Sequence, residues 1–161
     1  MTHTVESDLD PDEGYLIWRY GWQPEVQCHH VLCRLGRFFY GDQGRAWFEK
    51  LTGIAVADPP DRVLVSDVHA KGSYLDGWDE AADGNAIAFQ FGLTPARWPV
   101  EWGGHLELLD GRDGPLVQRL SPSWNGLDVF DVRRPGPWRR VPIVTRHLDG
   151  FTVTGWYRPA S

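Results

Sequence analysis

The chain has 161 residues, 42% of them apolar and 24% charged, with a formal net charge of −6. That length fits one domain and needs no disulfide or metal staple to fold. The charge, with no Lys/Arg-rich run, argues against a basic nucleic-acid-binding face, and no apolar stretch reaches the roughly 18 residues of a membrane span. Nine Trp, 18 Gly and 12 Pro point to many short strands joined by turns.

Residues 1–13 hold five Asp or Glu and few apolar side chains, so a disordered acidic lead is expected before a single domain at 14–161. The lead resembles neither a signal nor a transit peptide, and the default setting is the cytoplasm. Tyr15, Leu16, Ile17, Trp18 and Tyr20 suit a first strand. Gln27 to Leu35 fits either a strand or a short helix. Gly41 to Leu51 is the best helix: Ala46, Trp47, Phe48 and Leu51 make a stripe, Asp42 suits its cap and Gly53 its stop.

Everything later reads as strand and turn. Arg62 to Val68 is a β-branched run. Tyr74-Leu75 is short, and Asp79 to Asn85 is a polar loop. Ala86 to Leu93 alternates with period two. His105 to Leu109, Leu116 to Leu120, Leu127 to Val132, Val141 to His147 and Phe151 to Tyr157 follow. Asp149-Gly150 has the composition of a hairpin turn between the last two. One short helical element before seven or eight strands suits an all-β jelly roll with a ligand pocket at its mouth.

The motifs of conventional catalysis are missing. There is no phosphate-binding Gly loop, no G-x-S-x-G and no H-E-x-x-H. Cys28-His29-His30 with Cys33 lacks the paired spacing of a zinc site and reads as buried thiols beside half-exposed imidazoles.

Several segments together resemble the Fe(II)/2-oxoglutarate-dependent oxygenases, nearest the prolyl-hydroxylase-like branch. They are Leu51-Thr52-Gly53, Lys71-Gly72-Ser73-Tyr74-Leu75, Ala88 to Leu93, Trp98, Trp102-Gly103-Gly104-His105-Leu106-Glu107-Leu108, Asn125 to Phe130, and Thr154-Gly155-Trp156-Tyr157. The resemblance covers about residues 35 to 158 and implies a double-stranded β-helix, cupin-like in form. It also implies an iron held by two His and one carboxylate, with open positions for 2-oxoglutarate and oxygen.

The residues at those positions depart from the pattern. Glu80 takes the carboxylate position, Trp78 the first His and Arg139 the distal His. An indole N–H only donates, and a guanidinium stays protonated, so neither ligates a metal. Gly150 stands where the family places the cation that clamps 2-oxoglutarate. His69, His105 and His147 are the imidazoles left to rebuild a metal site.

From these departures the sequence suggests a barrel without metal or cofactor that acts on a hydrophobic small molecule, by cyclase, isomerase or lyase chemistry in specialised biosynthesis. Glu80 and Arg139 would be catalytic, as general acid or base and as an oxyanion or carboxylate binder. Trp78, Trp102, His105 and Asp128 would contact the ligand. The alternatives are a plugged site with a structural Glu80–Arg139 bridge, serving a non-catalytic binding or accessory protein, and an Fe(II)/2-oxoglutarate hydroxylase with unusual ligands. An inward Asp128 would need a partner, and Arg139 or Arg140 would serve. Oligomeric state, a homodimer included, stays open.

Overall fold

The computed structural model describes residues 5–10, 15–21, 31–57, 62–69, 71–79, 84–94, 97–133, 138–146 and 150–160. Two strands come first, β1 (Val5–Asp10) and β2 (Tyr15–Gly21), paired antiparallel from Val5↔Tyr20 to Asp10↔Tyr15. Part of the acidic lead expected to be disordered is therefore a strand. Backbone pairing along β2 gives it an order that its composition does not signal.

Two helices follow, α1 (Val31–Tyr40) and α2 (Asp42–Thr52), where the sequence suggested one. Gly41, not Asp42, is the N-cap of α2, and Asp42 instead pairs with Arg45 at 3.2 Å. The helix stops at Gly53 as expected. Gly53 adopts φ 70°, and its N–H donates to the Glu49 carbonyl. Cys33 on α1 is buried and disulfide-bonded, a correction to the free thiol read from the sequence.

The remaining strands are β3 (Arg62–His69), β4 (Tyr74–Trp78), β5 (Ile87–Leu93), β6 (Leu106–Leu109), β7 (Leu116–Leu120), β8 (Trp124–Asp131), β9 (Trp138–Val141) and β10 (Gly150–Tyr157). With β1 and β2 they form one antiparallel sheet in the order β7-β6-β9-β4-β2-β3-β10-β5-β8, with β1 added on β2. Phe130 of β8 packs against Leu106, Leu108 and Val141 of β6 and β9. The two ends of the sheet thus face each other, which is the double-stranded β-helix.

Two expected features differ. Of the run expected from Val141 to His147, residues 142–146 are not strand and His147 lies outside the described residues: β9 ends at Val141, and Pro142 has no N–H to continue a ladder. β9 and β10 are not partners in a hairpin, because β10 pairs with β3 and β5 while β9 pairs with β4 and β6; Asp149, of the turn expected there, lies outside the described residues.

Alternation along β5 divides the interior into two cores. Ile87 and Phe89 are fully buried and join Val153, Tyr157, Phe39 and Phe48 in an aromatic cluster between sheet and helices. Phe89 lies 4.7 Å from Phe39 and 4.9 Å from Phe48, ring centre to ring centre. The Tyr157 hydroxyl donates to the Phe39 carbonyl, and burial pushes its pKa well up. The other face of β5 looks into the barrel.

Candidate functional site

The candidate site begins where β4 meets β9. Trp78 and Arg139 are register partners there, one shift beyond the Leu75↔Val141 pair. Arg139 shares its face with Val141 and opposes Leu108. It is only 7% exposed, and its guanidinium carbon lies 5.1 Å from the centre of the Phe130 ring across the barrel. An Arg over an aromatic face gains cation–π attraction that grows as water is excluded. The backbone thus brings together the two positions singled out in the sequence. The Trp78 side chain and all of Glu80 lie outside the described residues.

Three strands build the wall opposite. Leu127 and Val129 of β8 pack on the helix-side core, so Gly126, Asp128 and Phe130 face the barrel. Their partners on β5 are Gly92, Gln90 and Ala88, and those on β10 are Thr152, Thr154 and Trp156. The wall therefore has an apolar row holding Phe130, a polar row of Gln90, Asp128 and Thr154, and a row holding Thr152. Burial raises the Asp128 carboxyl above the usual carboxylate range. The partner expected for it is not supplied. Arg140 is committed to Glu107 on the other face of the sheet, and no ion pair joins Asp128 to Arg139.

That other face carries a cluster the sequence reading missed. His105 and Glu107 alternate with Leu106 and Leu108, so they turn away from Arg139 and the barrel. The expectation that His105 lines the ligand pocket is therefore corrected by strand alternation. Its Nε2 lies 3.1 Å from the Glu107 Oε1, and its Nδ1 is buried without a hydrogen bond. Glu107 is 3% exposed and accepts two hydrogen bonds from Arg119, at 3.1 and 2.8 Å, and two from Arg140, at 2.9 and 2.5 Å. Burial alone would raise its carboxyl. The hydrogen bonds from Arg140, Arg119 and His105 outweigh that and hold it at about 2. The available signal was an acid inside an apolar run, but its partners come from strands distant in sequence.

Trp102 sits in a clasp outside the barrel rows. Trp98 donates to the Gly103 carbonyl at 2.6 Å and meets Trp102 edge to face at 5.6 Å. Arg146 lies over the Trp102 ring at 5.7 Å. A Cβ on Gly103, at φ 70°, would fall 1.9 Å from the Ile143 carbonyl, so only glycine lets these two segments close. This geometry holds the 98–104 segment against 142–146 and does not place Trp102 with Asp128 and Arg139.

Among the described residues, no three His, Cys, Asp or Glu side chains come together to hold a metal ion. The side chains of Glu80, His69 and His147 lie outside those residues. Backbone register places His69 opposite Gly150, the first residue of β10. No helix among the described residues is long and apolar enough to cross a membrane.

Residues 64–158 match the family described as the 2OG-Fe(II) oxygenase superfamily. Prolyl 3-hydroxylase OGFOD1 of Mus musculus is 28% identical over 120 residues, and that of Xenopus laevis 30% over 127. These matches take in 70% and 73% of this chain but only 21% and 23% of the relatives, so the chain spans under a quarter of their length. Among solved structures, a Pseudomonas putida prolyl-4-hydroxylase has TM-score 0.64 at 17% identity, covering 91% of this chain and 74% of its own. A Burkholderia pseudomallei oxidoreductase of the 2OG-Fe(II) oxygenase family has TM-score 0.67 at 12% identity, covering 98% and 73%. A Trichoplax adhaerens prolyl hydroxylase, solved with a hypoxia inducible factor peptide fragment, has TM-score 0.65 at 16% identity, covering 91% and 64%. The structural likenesses support the fold.

Proposed function

We propose, from the premise that the chain belongs to the 2OG-Fe(II) oxygenase superfamily, that it is a hydroxylase of the prolyl-hydroxylase type. Its substrate would be a prolyl residue in a peptide or protein, with a 2-oxo acid as co-substrate. The family match over residues 64–158 carries this reading, and the two relatives named prolyl 3-hydroxylase support it.

These matches overturn the expectation of a metal-independent cyclase, isomerase or lyase with a degenerate site. That expectation gave three positions, Trp78, Arg139 and Gly150, more weight than a match that extends over β3 to β10. The hydroxylase with unusual ligands is the alternative the comparisons favour.

The ligand set still departs from the family pattern. Trp78 and Arg139 do not fit a metal ion, because neither offers a lone pair to it. A metal in this barrel needs other side chains, and Glu80, His69 and His147 are the acid and imidazoles left for that work. Arg139, buried against Phe130, keeps a fixed positive charge inside the barrel.

The test is turnover. Protein incubated with Fe(II), ascorbate, 2-oxoglutarate and proline-containing peptides is expected to release succinate together with a peptide heavier by one oxygen. Absence of both products across a broad peptide pool would defeat the hydroxylase reading.

A further inference from the structure

The polar row inside the barrel has an unusual member. Asp128 of β8 ends the row, beside Gln90 of β5, with Thr154 of β10 one strand further on. Its strand neighbours Leu127 and Val129 are committed to the helix-side core, so alternation fixes Asp128 toward the space between the sheets. Burial raises its carboxyl, and among the described residues no hydrogen bond or ion pair reaches it. The charged group facing this row from β9 is Arg139, which lies over Phe130 in the adjacent row. On the other side, Thr152 is the register partner of Asp67, and Gly150 of His69. Gly150 adds no charge of its own.

A half-buried carboxyl without a compensating partner is costly. A ligand that donates a hydrogen bond to it would relieve that cost, whereas a second anion would add repulsion in a medium of low dielectric constant. Gln90, beside it, offers both a donor and an acceptor.

We infer that Gln90, Asp128 and Thr154 form the subsite for the inner end of the ligand, and that Asp128 sets its charge selectivity. The site takes a 2-oxo acid whose far end donates hydrogen bonds, such as a primary amide or a hydroxyl, in preference to one that ends in a second carboxylate. The 2-oxo acid rests on the function proposed above; the selectivity rests on the row itself.

Binding, not turnover, tests this. Isothermal titration compares 2-oxoglutarate with its terminal amide, 2-oxoglutaramate, with and without Mn(II), on the unaltered protein and on Asp128→Asn and Asp128→Val. The amide is expected to bind at least about tenfold tighter to the unaltered protein. Both substitutions are expected to tighten 2-oxoglutarate about tenfold and remove the preference, a change of about one decade in Kd. Equal or tighter binding of 2-oxoglutarate to the unaltered protein would overturn the inference. So would an unchanged ratio in both variants, or no binding of either acid. Amide preference without turnover counts against the hydroxylase reading alone, and turnover without the preference counts against Asp128 alone.

Discussion

Glu107→Ala is expected to cost about 3 kcal/mol of folding stability, read as a lower urea midpoint at unchanged slope. The carboxylate is 3% exposed and holds three partners at once: His105, Arg119 and Arg140. Removing it leaves an imidazole buried on both nitrogens and two guanidinium groups that lose their anchor. The Arg side chains are 37% and 45% exposed, so they turn partly to water, which keeps the cost below that of a wholly buried triad. Acid should produce part of that loss without mutation. The Glu107 carboxyl sits at about 2 against a usual 4.5, so its contribution is fully present above about pH 4.5 and disappears as pH falls through about 2. After discounting for solvent around the two Arg, that contribution is about 2 kcal/mol. A loss under about 1 kcal/mol in Glu107→Ala would show that the cluster is ornamental.

Phe48→Ala should be at least as damaging, at about 3–5 kcal/mol in the same urea measurement. Phe48 has no exposed surface and touches the rings of Phe39, Phe89 and Tyr157, at 6.1, 4.9 and 5.1 Å between centres. It joins α2 to the sheet, so its loss opens a cavity where neighbours from three elements cannot all move in. A cost below about 1.5 kcal/mol would mean that α2 is not part of the same cooperative unit as the barrel.

How much of this was legible in the sequence depends on whether the cause was local. The stop at Gly53 was visible because a helix end needs a residue that tolerates positive φ. The alternation of Ile87, Phe89 and Phe91 was visible because it is a property of five consecutive residues. The strand Val5–Asp10 was not visible, since its stability comes from β2 and not from its own polar side chains. The expected strand over Val141 to His147 failed for a related reason. Its β-branched residues suit extended backbone, yet the backbone of residues 142–145 bonds to the segments at 72–73 and 102–104 and not to a strand.

The site divides in the same way. Trp78 and Arg139 were found from the sequence because each sits at a fixed offset from a recognisable stretch, and the register does pair them. Asp128 was found as an acid in an apolar strand, but the partner anticipated for it was not there. His105 was assigned to the wrong face. One residue of register decides whether a side chain on β6 meets the barrel or the outer cluster, and the sequence around Gly103-Gly104 does not reveal that choice. Glu107 went unnoticed because Arg119 and Arg140, which give it meaning, arrive 12 and 33 residues later in the chain. The metal-independent reading came from treating three substituted positions, Trp78, Arg139 and Gly150, as the whole site, when the family match runs from residue 64 to residue 158.

Metal binding by the intact chain probes the hydroxylase reading most directly. Equilibrium dialysis against Mn(II) in the presence of a 2-oxo acid should find one ion per chain, with the bound ion's paramagnetic resonance spectrum changed when the acid is added. A protein that retains no ion under those conditions, while its Trp fluorescence and urea midpoint show it folded, would contradict the account.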